Sequence, residues 1–237
     1  MLTFTRAQRI WRWLRRGLYL AIALLLLWQA SILGRVWWWV DHNPDSTAFM
    51  RAQQSALEKK SASAKLKQQW TAYANISRNL KRAVIAAEDT AFVEHDGFDW
   101  EGMERAWERN KKTGKVVAGG STITQQLAKN LFLSSEKSYT RKAHEALITA
   151  ELEWLMDKER ILEIYLNVVE WGEGVFGAEA AARHYFNTSA DKLTPDQAAK
   201  LAAMLPRPRF YDKNRNSRYL QGRTAIIAQR MRQVEIP

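Results

Sequence analysis

The stretch from residue 17 to residue 40 constrains this chain most. It reads GLYLAIALLLLWQASILGRVWWWV, interrupted only by Gln29, Ser31 and Arg35. A run that long and apolar crosses the ~30 Å of hydrocarbon in a bilayer as a helix, because a helix satisfies its own backbone polar groups. Arg6, Arg9, Arg12, Arg15 and Arg16 precede it. Positive charge of this kind stays on the cytoplasmic side, so the rest of the chain is expected to face outward. Trp37, Trp38 and Trp39 are expected to form an interfacial belt, and Arg35 to reach the headgroups on its long stem. A cleaved signal peptide is the alternative. The run is long for one, and no small-x-small cleavage site follows it, so the reading is a retained anchor.

Charge follows the same division. Residues 1–40 hold six arginines and no acid, so +6 of the formal +11 lies there and +5 on everything after it. A nucleic-acid-binding domain carries its basic excess on its folded part, so that class is set aside. With no cysteine, disulfides and thiolate metal sites are excluded. His42, His95, His144 and His184 show no metal-ligand spacing, and no metal site is expected from them.

The chain divides into a basic segment (1–16), a transmembrane helix (17–40), a juxtamembrane connector (41–69) and a globular domain (70–237). In and after the connector, 48–60 and 65–73 read as amphipathic helices. Helices are expected over 80–87 and 101–112, with a turn at His95-Asp96-Gly97 between them. The loop at 111–120 holds three glycines. Thr122 reads as an N-cap with Gln125 at N3, opening a helix to about residue 131. Two helices fill 137–167, broken near Asp157. Ala143, Ala146, Leu147 and Ala150 form the apolar face of the first; Ile161, Leu162, Tyr165 and Leu166 form that of the second. A loop at 171–177 and a helix at 178–186 follow. Thr194, Pro195 and Gln197 open another helix. A loop over 207–217 and a helix over 218–233 complete the chain. No strand pattern appears, so the fold class is almost wholly α.

Two segments carry the chemistry. AEDTAFVEHDGFDW (87–100) sets Glu88 and Asp89 after an apolar run, with Phe92, His95 and Gly97 close behind. GGSTITQQLAKN (119–130) is a glycine pair, then hydroxyls and amides, then Lys129 and Asn130. On a helix Gln125 and Lys129 share a face, as do Gln126 and Asn130. The free backbone amides at this helix start could hold a phosphate. Further on, Arg141 and Glu145 stand four apart and can pair. Carboxylates beside a Gly/Ser/Thr segment that feeds a basic helix suit a reaction on an anionic, hydroxyl-rich substrate. Taken singly, each part also fits an ordinary capped helix or a helix ion pair. Other short matches fail on order. Ser134-x-x-Lys137, Ser77-x-Asn79 and Lys112-Thr113-Gly114 run in reverse of the sequence that a penicillin-binding transpeptidase needs. Gly114 and Gly119 approach a phosphate-binding loop, but Gly120 stands where its lysine belongs.

Together, the two segments match Glu-Asp-x-x-Phe-x-x-His-x-Gly and Gly-x-Ser-Thr-Ile-Thr-Gln-Gln-x-x-Lys-Asn. RKAHEALITAELE (141–153) and KERILEIYLN (158–167) follow in order. Over roughly residues 80–210 the chain resembles the glycosyltransferase family that polymerises peptidoglycan, most closely its monofunctional members. The resemblance implies a lysozyme-like, all-α domain behind a single transmembrane helix. It implies polymerisation of lipid II into β1,4-linked glycan with inversion and release of undecaprenyl pyrophosphate. Glu88 then matches the general base, and Glu145 the second essential acid, which organises the donor site. Lys129 and Arg141 match the positions that hold the pyrophosphate. Ser121, Thr122, Gln125, Gln126 and Asn130 would hydrogen-bond sugar and phosphate, while Asp89 and Phe92 shape the site. No organic cofactor is implied. Either a divalent cation (Mg2+ or Mn2+) or the Lys/Arg pair itself would neutralise the pyrophosphate. The implied partners are lipid II, the growing glycan strand, the membrane, and other cell-wall synthesis or division proteins. The implied location is the inner membrane, single-pass, with the N-terminus cytoplasmic and the catalytic domain periplasmic. The loop at 111–120 is expected to act as a flap over the glycan. Two alternatives differ in their demands. A lytic transglycosylase of related fold has no use for a pyrophosphate site, and a non-enzymatic scaffold would not need intact motifs.

Overall fold

The computed structural model describes residues 6–115, 119–133, 136 and 138–237. Residues 1–5, the centre of the expected 111–120 flap, and Ser134 and Lys137 of the Ser-x-x-Lys match lie outside the described residues. The first helix, α1 (Arg6–Trp38), has 33 residues, about 50 Å at 1.5 Å per residue. Among the described residues it is the one helix long and apolar enough to cross a membrane. Most of its length is exposed, but its C-terminal end is docked. Ile32 and Val36 are buried in the domain core. Gln29 donates to Glu151 at 2.6 Å, and Arg160 donates to the Trp39 carbonyl at 2.9 Å. Of the expected aromatic belt, Trp37 and Trp38 are exposed, whereas Trp39 packs on Phe132. The Arg35 guanidinium lies over the same Phe132 ring, 4.9 Å from its centroid.

Helix α2 (Ala48–Glu58) is capped by Thr47, whose Oγ1 accepts from the Met50 amide. The helix expected over 65–73 does not form. Its amides are claimed from elsewhere: Leu66 by Gln54, Lys67 by the Gly174 carbonyl, Thr71 by Asn167 Oδ1. Lys67–Gln68 becomes β1, parallel to β3 (Val175–Phe176), which pairs antiparallel with β2 (Glu170–Gly172). The expected loop at 171–177 is therefore a hairpin, turned by Gly174 at φ +72°. Strands of two or three residues are too short to leave an alternating pattern in sequence.

The remaining helices are α3 (Arg78–Glu88), α4 (Trp100–Thr113), α5 (Ile123–Phe132), α6 (Tyr139–Leu155), α7 (Lys158–Val168), α8 (Ala178–Phe186), α9 (Pro195–Met204), α10 (Pro208–Lys213) and α11 (Arg218–Arg230). Lys111, Lys112 and Thr113 of the expected flap belong to α4, which Gly114 ends in the left-handed conformation. The expected 207–217 loop contains α10, started by Pro208. Asp157 breaks α6 from α7 by accepting from the Arg160 amide. The Thr194–Gln197 box caps α9, with Pro195 in its first turn.

Helix α3 packs on α9 and α11, while α5 packs on α2, α6 and α7. Val84, Ile85, Leu127, Ile148, Ile164 and Trp171 lie at the centre, each fully buried and worth about 1.5–3 kcal/mol of transfer free energy for a side chain of this size. One face is the reverse of the sequence expectation. On α6 the buried residues are Glu145, Ile148, Thr149 and Leu152, whereas Ala143, Leu147 and Ala150 are exposed. The polar members can lie inside because they are satisfied there. Glu145 meets two cations, and Thr149 Oγ1 donates to the Glu145 carbonyl.

Candidate active site

Glu88 is the last residue of α3, and Asp89 caps that helix. The turn that follows is built around Asp89. The Gly97 amide donates to His95 Nδ1 at 3.1 Å, which leaves the ring proton on Nε2, donating to Asp89 Oδ1 at 3.0 Å. Asp89 Oδ2 accepts from the Ile123 amide at 2.9 Å. A carboxylate thus sits on the positive end of α5. Gly97 has φ +85°, and a Cβ there would stand 2.8 Å from Thr149 and 2.9 Å from Glu153. Only glycine fits that turn. Phe92 is fully buried, with Lys158 Nζ 4.7 Å from its ring centroid. Lys158 also bonds the His95 carbonyl and Glu153, and Glu153 accepts from Thr124. Asp89, Phe92, His95 and Gly97 are therefore the joint that fixes the end of α3 against α5, α6 and α7.

The start of α5 corrects one expectation. Thr122 and Gln125 form the expected capping box, and Thr122 Oγ1 also donates to the Gly97 carbonyl at 2.8 Å. The Ile123 amide belongs to Asp89 and the Gln125 amide to Thr122. These amides are not free for a phosphate, because the protein's own groups satisfy them first. Ser121, by contrast, is exposed, and Asn130 is buried.

Glu88 is held on one side only. Its Oε2 accepts from Gln126 Nε2 at 2.9 Å, and Gln126 Oε1 accepts from the Tyr165 hydroxyl at 3.0 Å. Its Oε1 is buried with no hydrogen-bond partner among the described residues. Burial pushes the Glu88 carboxyl above the usual glutamate value, and the neighbouring Asp89 adds to this. The Gln126 hydrogen bond, Arg223 and Lys129 pull the other way. Glu88, Asp89, Ser121 and Thr122 line one cavity of about 250 Å³, with Arg105 and Arg230 on its rim.

The cations stand to the other side. Glu145 accepts from Arg141 at 2.6 Å and from Lys142, and its own side chain is 4% exposed. Lys129 feels the charge of both acids and is open to water at the surface. Desolvation by the surrounding protein nevertheless lowers its pKa, and Arg141 and Lys142 repel its charge while Glu145 and Glu88 support it. Arg141 lines a second, apolar groove of about 630 Å³ between α1 and α6, walled by Leu25, Trp28, Phe132 and Leu147. The structure thus does not gather every expected residue into one hollow. Glu88 faces a polar cavity, Arg141 faces a greasy groove, and Lys129 feels both acids.

Comparison with known proteins decides the family. A transglycosylase family profile matches residues 53–232. The chain belongs to the transglycosylase family. It is 60% identical over 222 residues to the biosynthetic peptidoglycan transglycosylase of Methylobacillus flagellatus, covering 94% of this chain and 97% of that one. The Herminiimonas arsenicoxydans relative is 60% identical over 216 residues (91% and 94%), and the Laribacter hongkongensis relative 56% over 226 (95% and 99%); both carry the same name. The transglycosylase is accordingly a peptidoglycan glycosyltransferase of cell-wall synthesis, with a lysozyme-like helical fold. Its apolar α1 fits a membrane-anchored enzyme.

Three residues of this transglycosylase escaped the sequence reading of the site: Lys142, Tyr165 and Arg223. Lys142 stands beside Arg141 in the third motif block and was legible there. Tyr165 reads as an apolar-face residue of α7, and only the fold shows its hydroxyl reaching Gln126. Arg223 Nη2 comes within 4.0 Å of Glu88 Oε1 from the far end of the chain, and no local pattern signals it.

Proposed function

We propose that the substrate is lipid II and that the two acids divide the work. Glu88 accepts the proton from the 4-hydroxyl of the acceptor sugar. That oxygen forms the new bond to the donor's anomeric carbon as the carbon–oxygen bond to undecaprenyl pyrophosphate breaks. The electron pair of the broken bond leaves with the pyrophosphate, the anomeric centre inverts, and the proton stays on the Glu88 carboxyl. The observation that carries this reading is Glu88 itself: the residue lines a polar cavity, and its Oε1 has no hydrogen-bond partner among the described residues. General-base catalysis needs such a lone pair within reach of the incoming hydroxyl.

Charge on the departing pyrophosphate falls to Lys129, Arg141 and Lys142, with Glu145 fixing the last two. Preset charges of this kind cost no reorganisation when the bond breaks. Both Glu145 oxygens are already engaged by cations, and no group of three or more His, Asp or Glu gathers among the described residues. The Lys/Arg set can itself neutralise the pyrophosphate, and a divalent cation there would be held mainly by the substrate's own phosphate oxygens. The apolar groove beside Arg141 suits the polyprenyl tail of the same pyrophosphate. Ser121, Gln126 and Asn130 are assigned to sugar and phosphate contacts, while Thr122, Gln125, Asp89 and Phe92 hold the frame.

The proposed division of the chain is residues 1–16 cytoplasmic, 17–40 in the inner membrane, 41–69 connecting, and 70–237 catalytic on the periplasmic side, with α2 and β1 of the connector packed onto that domain. Other cell-wall synthesis proteins are its expected neighbours. The test is detergent-solubilised protein incubated with purified lipid II, read as glycan polymer on a gel. Polymer is the expected result. Release of fragments from finished peptidoglycan without polymer would mean a lytic enzyme, and inactivity of folded protein in both assays a scaffold.

A further inference from the structure

Arg223 lies outside the four motif blocks, yet it is the cation nearest to the free oxygen of Glu88. It projects from α11, which packs directly on α3. Its Nη2 stands 4.0 Å from Glu88 Oε1, close enough for a strong field and too far for a hydrogen bond. Both groups are largely shielded, with 30% of the Arg223 side chain and 13% of the Glu88 side chain accessible. Arg223 Nε and Glu88 Oε1 are both buried without hydrogen-bond partners among the described residues. Two opposite charges that face each other with unused hydrogen-bonding capacity are normally closed into a bonded pair. Here the pair is left open, at the end of α3 where Glu88 also lines a polar cavity.

We infer that Arg223 is a positioning residue for the transfer reaction: it keeps Glu88 ionised and oriented by charge alone, and so leaves Oε1 free to take a proton. This rests on the reading of Glu88 as the base. A closed salt bridge would occupy the reactive lone pair. With no cation there, burial and the neighbouring Asp89 would drive Glu88 towards its protonated form. An arginine at 4.0 Å avoids both outcomes, and its own charge is permanent at any working pH.

The groups that act on Glu88 come from each packed element. Arg223 comes from α11, Lys129 and Gln126 from α5, and Asp89 from the end of α3 itself. Arg105 and Arg230 rim the same cavity. Helix α9, which packs on both α3 and α11, carries buried Ala198, Ala199 and Ala202. Arg223 is the largest charged contribution on the side of ionisation, ahead of Lys129.

The experiment is the pH–rate profile of lipid II polymerisation for wild type, Arg223→Gln and Arg223→Lys, with Glu88→Gln alongside. An opposite charge at this distance moves a carboxyl by about one pH unit or more. The acidic limb of Arg223→Gln is therefore expected to shift up by about one unit. On that limb the rate should fall about tenfold, with much of it recovered at high pH. Arg223→Lys is expected to keep the limb near its wild-type position. Arg223→Met provides the same test should the glutamine variant fail to fold. A limb that stays in place in the charge-removing variants, whatever the loss of rate, overturns the role of Arg223 while the base assignment stands. An active Glu88→Gln instead overturns the base assignment itself.

Discussion

The end of α3 and the start of α6 each shield a glutamate in this enzyme, and they treat it in opposite ways. Glu145 on α6 is saturated, with Arg141 on one oxygen and Lys142 on the other. Glu88 on α3 has one oxygen held by Gln126 and the other without a hydrogen-bond partner among the described residues, with its nearest cation there 4.0 Å away. A saturated carboxylate has given up its lone pairs to fix two cations, so it organises charge. A carboxylate with a buried, unused lone pair still has chemistry to do. The family resemblance already implies different roles for the two acids, and the hydrogen bonds supply a physical reason for that division.

The sharpest way to break this contrast is to remove each carboxylate in turn. Glu88→Gln keeps the shape and the contact side of Gln126 but cannot accept a proton, and polymerisation should fall about 10²–10⁴-fold in kcat. Its stability should move the other way. The Glu88 carboxyl titrates above the ordinary glutamate value in the fold. Its contribution is therefore fully present at low pH and lost as pH rises through that raised value. Thermal melts should show Glu88→Gln with a higher Tm than wild type at neutral pH, and no difference below the usual glutamate range. In the wild type the rate should fall on acidification at a pH above the normal carboxylate range, since the base must be ionised.

Glu145→Gln should act more gently and by another route. It releases Arg141 and Lys142 from their common partner, and the loss should be about 10²-fold in kcat/KM, chiefly through weaker donor binding, measured by initial rates over lipid II concentration. Stability should drop by about 1–3 kcal/mol in denaturant unfolding, less than for a fully enclosed pair because Lys142 is half exposed. An equal kcat defect in both variants, with binding intact in both, would erase the distinction.

The smallest effect should come from the frame that both acids lean on. Thr122→Ala removes the cap of α5 and the bond to the Gly97 carbonyl. It should cost about 1–2 kcal/mol of unfolding free energy, read from the shift in denaturation midpoint.

How much of this was legible beforehand follows from the range of each interaction. The α5 cap, the Asp157 break and the α9 start are local, and residues within four positions specify them. The motif blocks brought Glu88, Lys129, Arg141 and Glu145 forward because their residue types and order are distinctive. The buried face of α6 was misread, since Ala143, Leu147 and Ala150 look like core residues, while Glu145 and Thr149 earn burial through partners that hydrophobicity does not register. Strand β1 and the displaced 65–73 segment depend on acceptors about a hundred residues away, such as Gly174 for Lys67 and Asn167 for Thr71, while β2 and β3 form a local hairpin too short to leave a pattern. The approach of Arg223 to Glu88 is the longest-range case, and only the packing of α11 on α3 reveals it.

The most direct measurement is lipid II binding and polymer formation by Glu88→Gln in the same detergent preparation. The account predicts binding at wild-type affinity with polymer formation slowed about 10²–10⁴-fold. Polymer at the wild-type rate would contradict it.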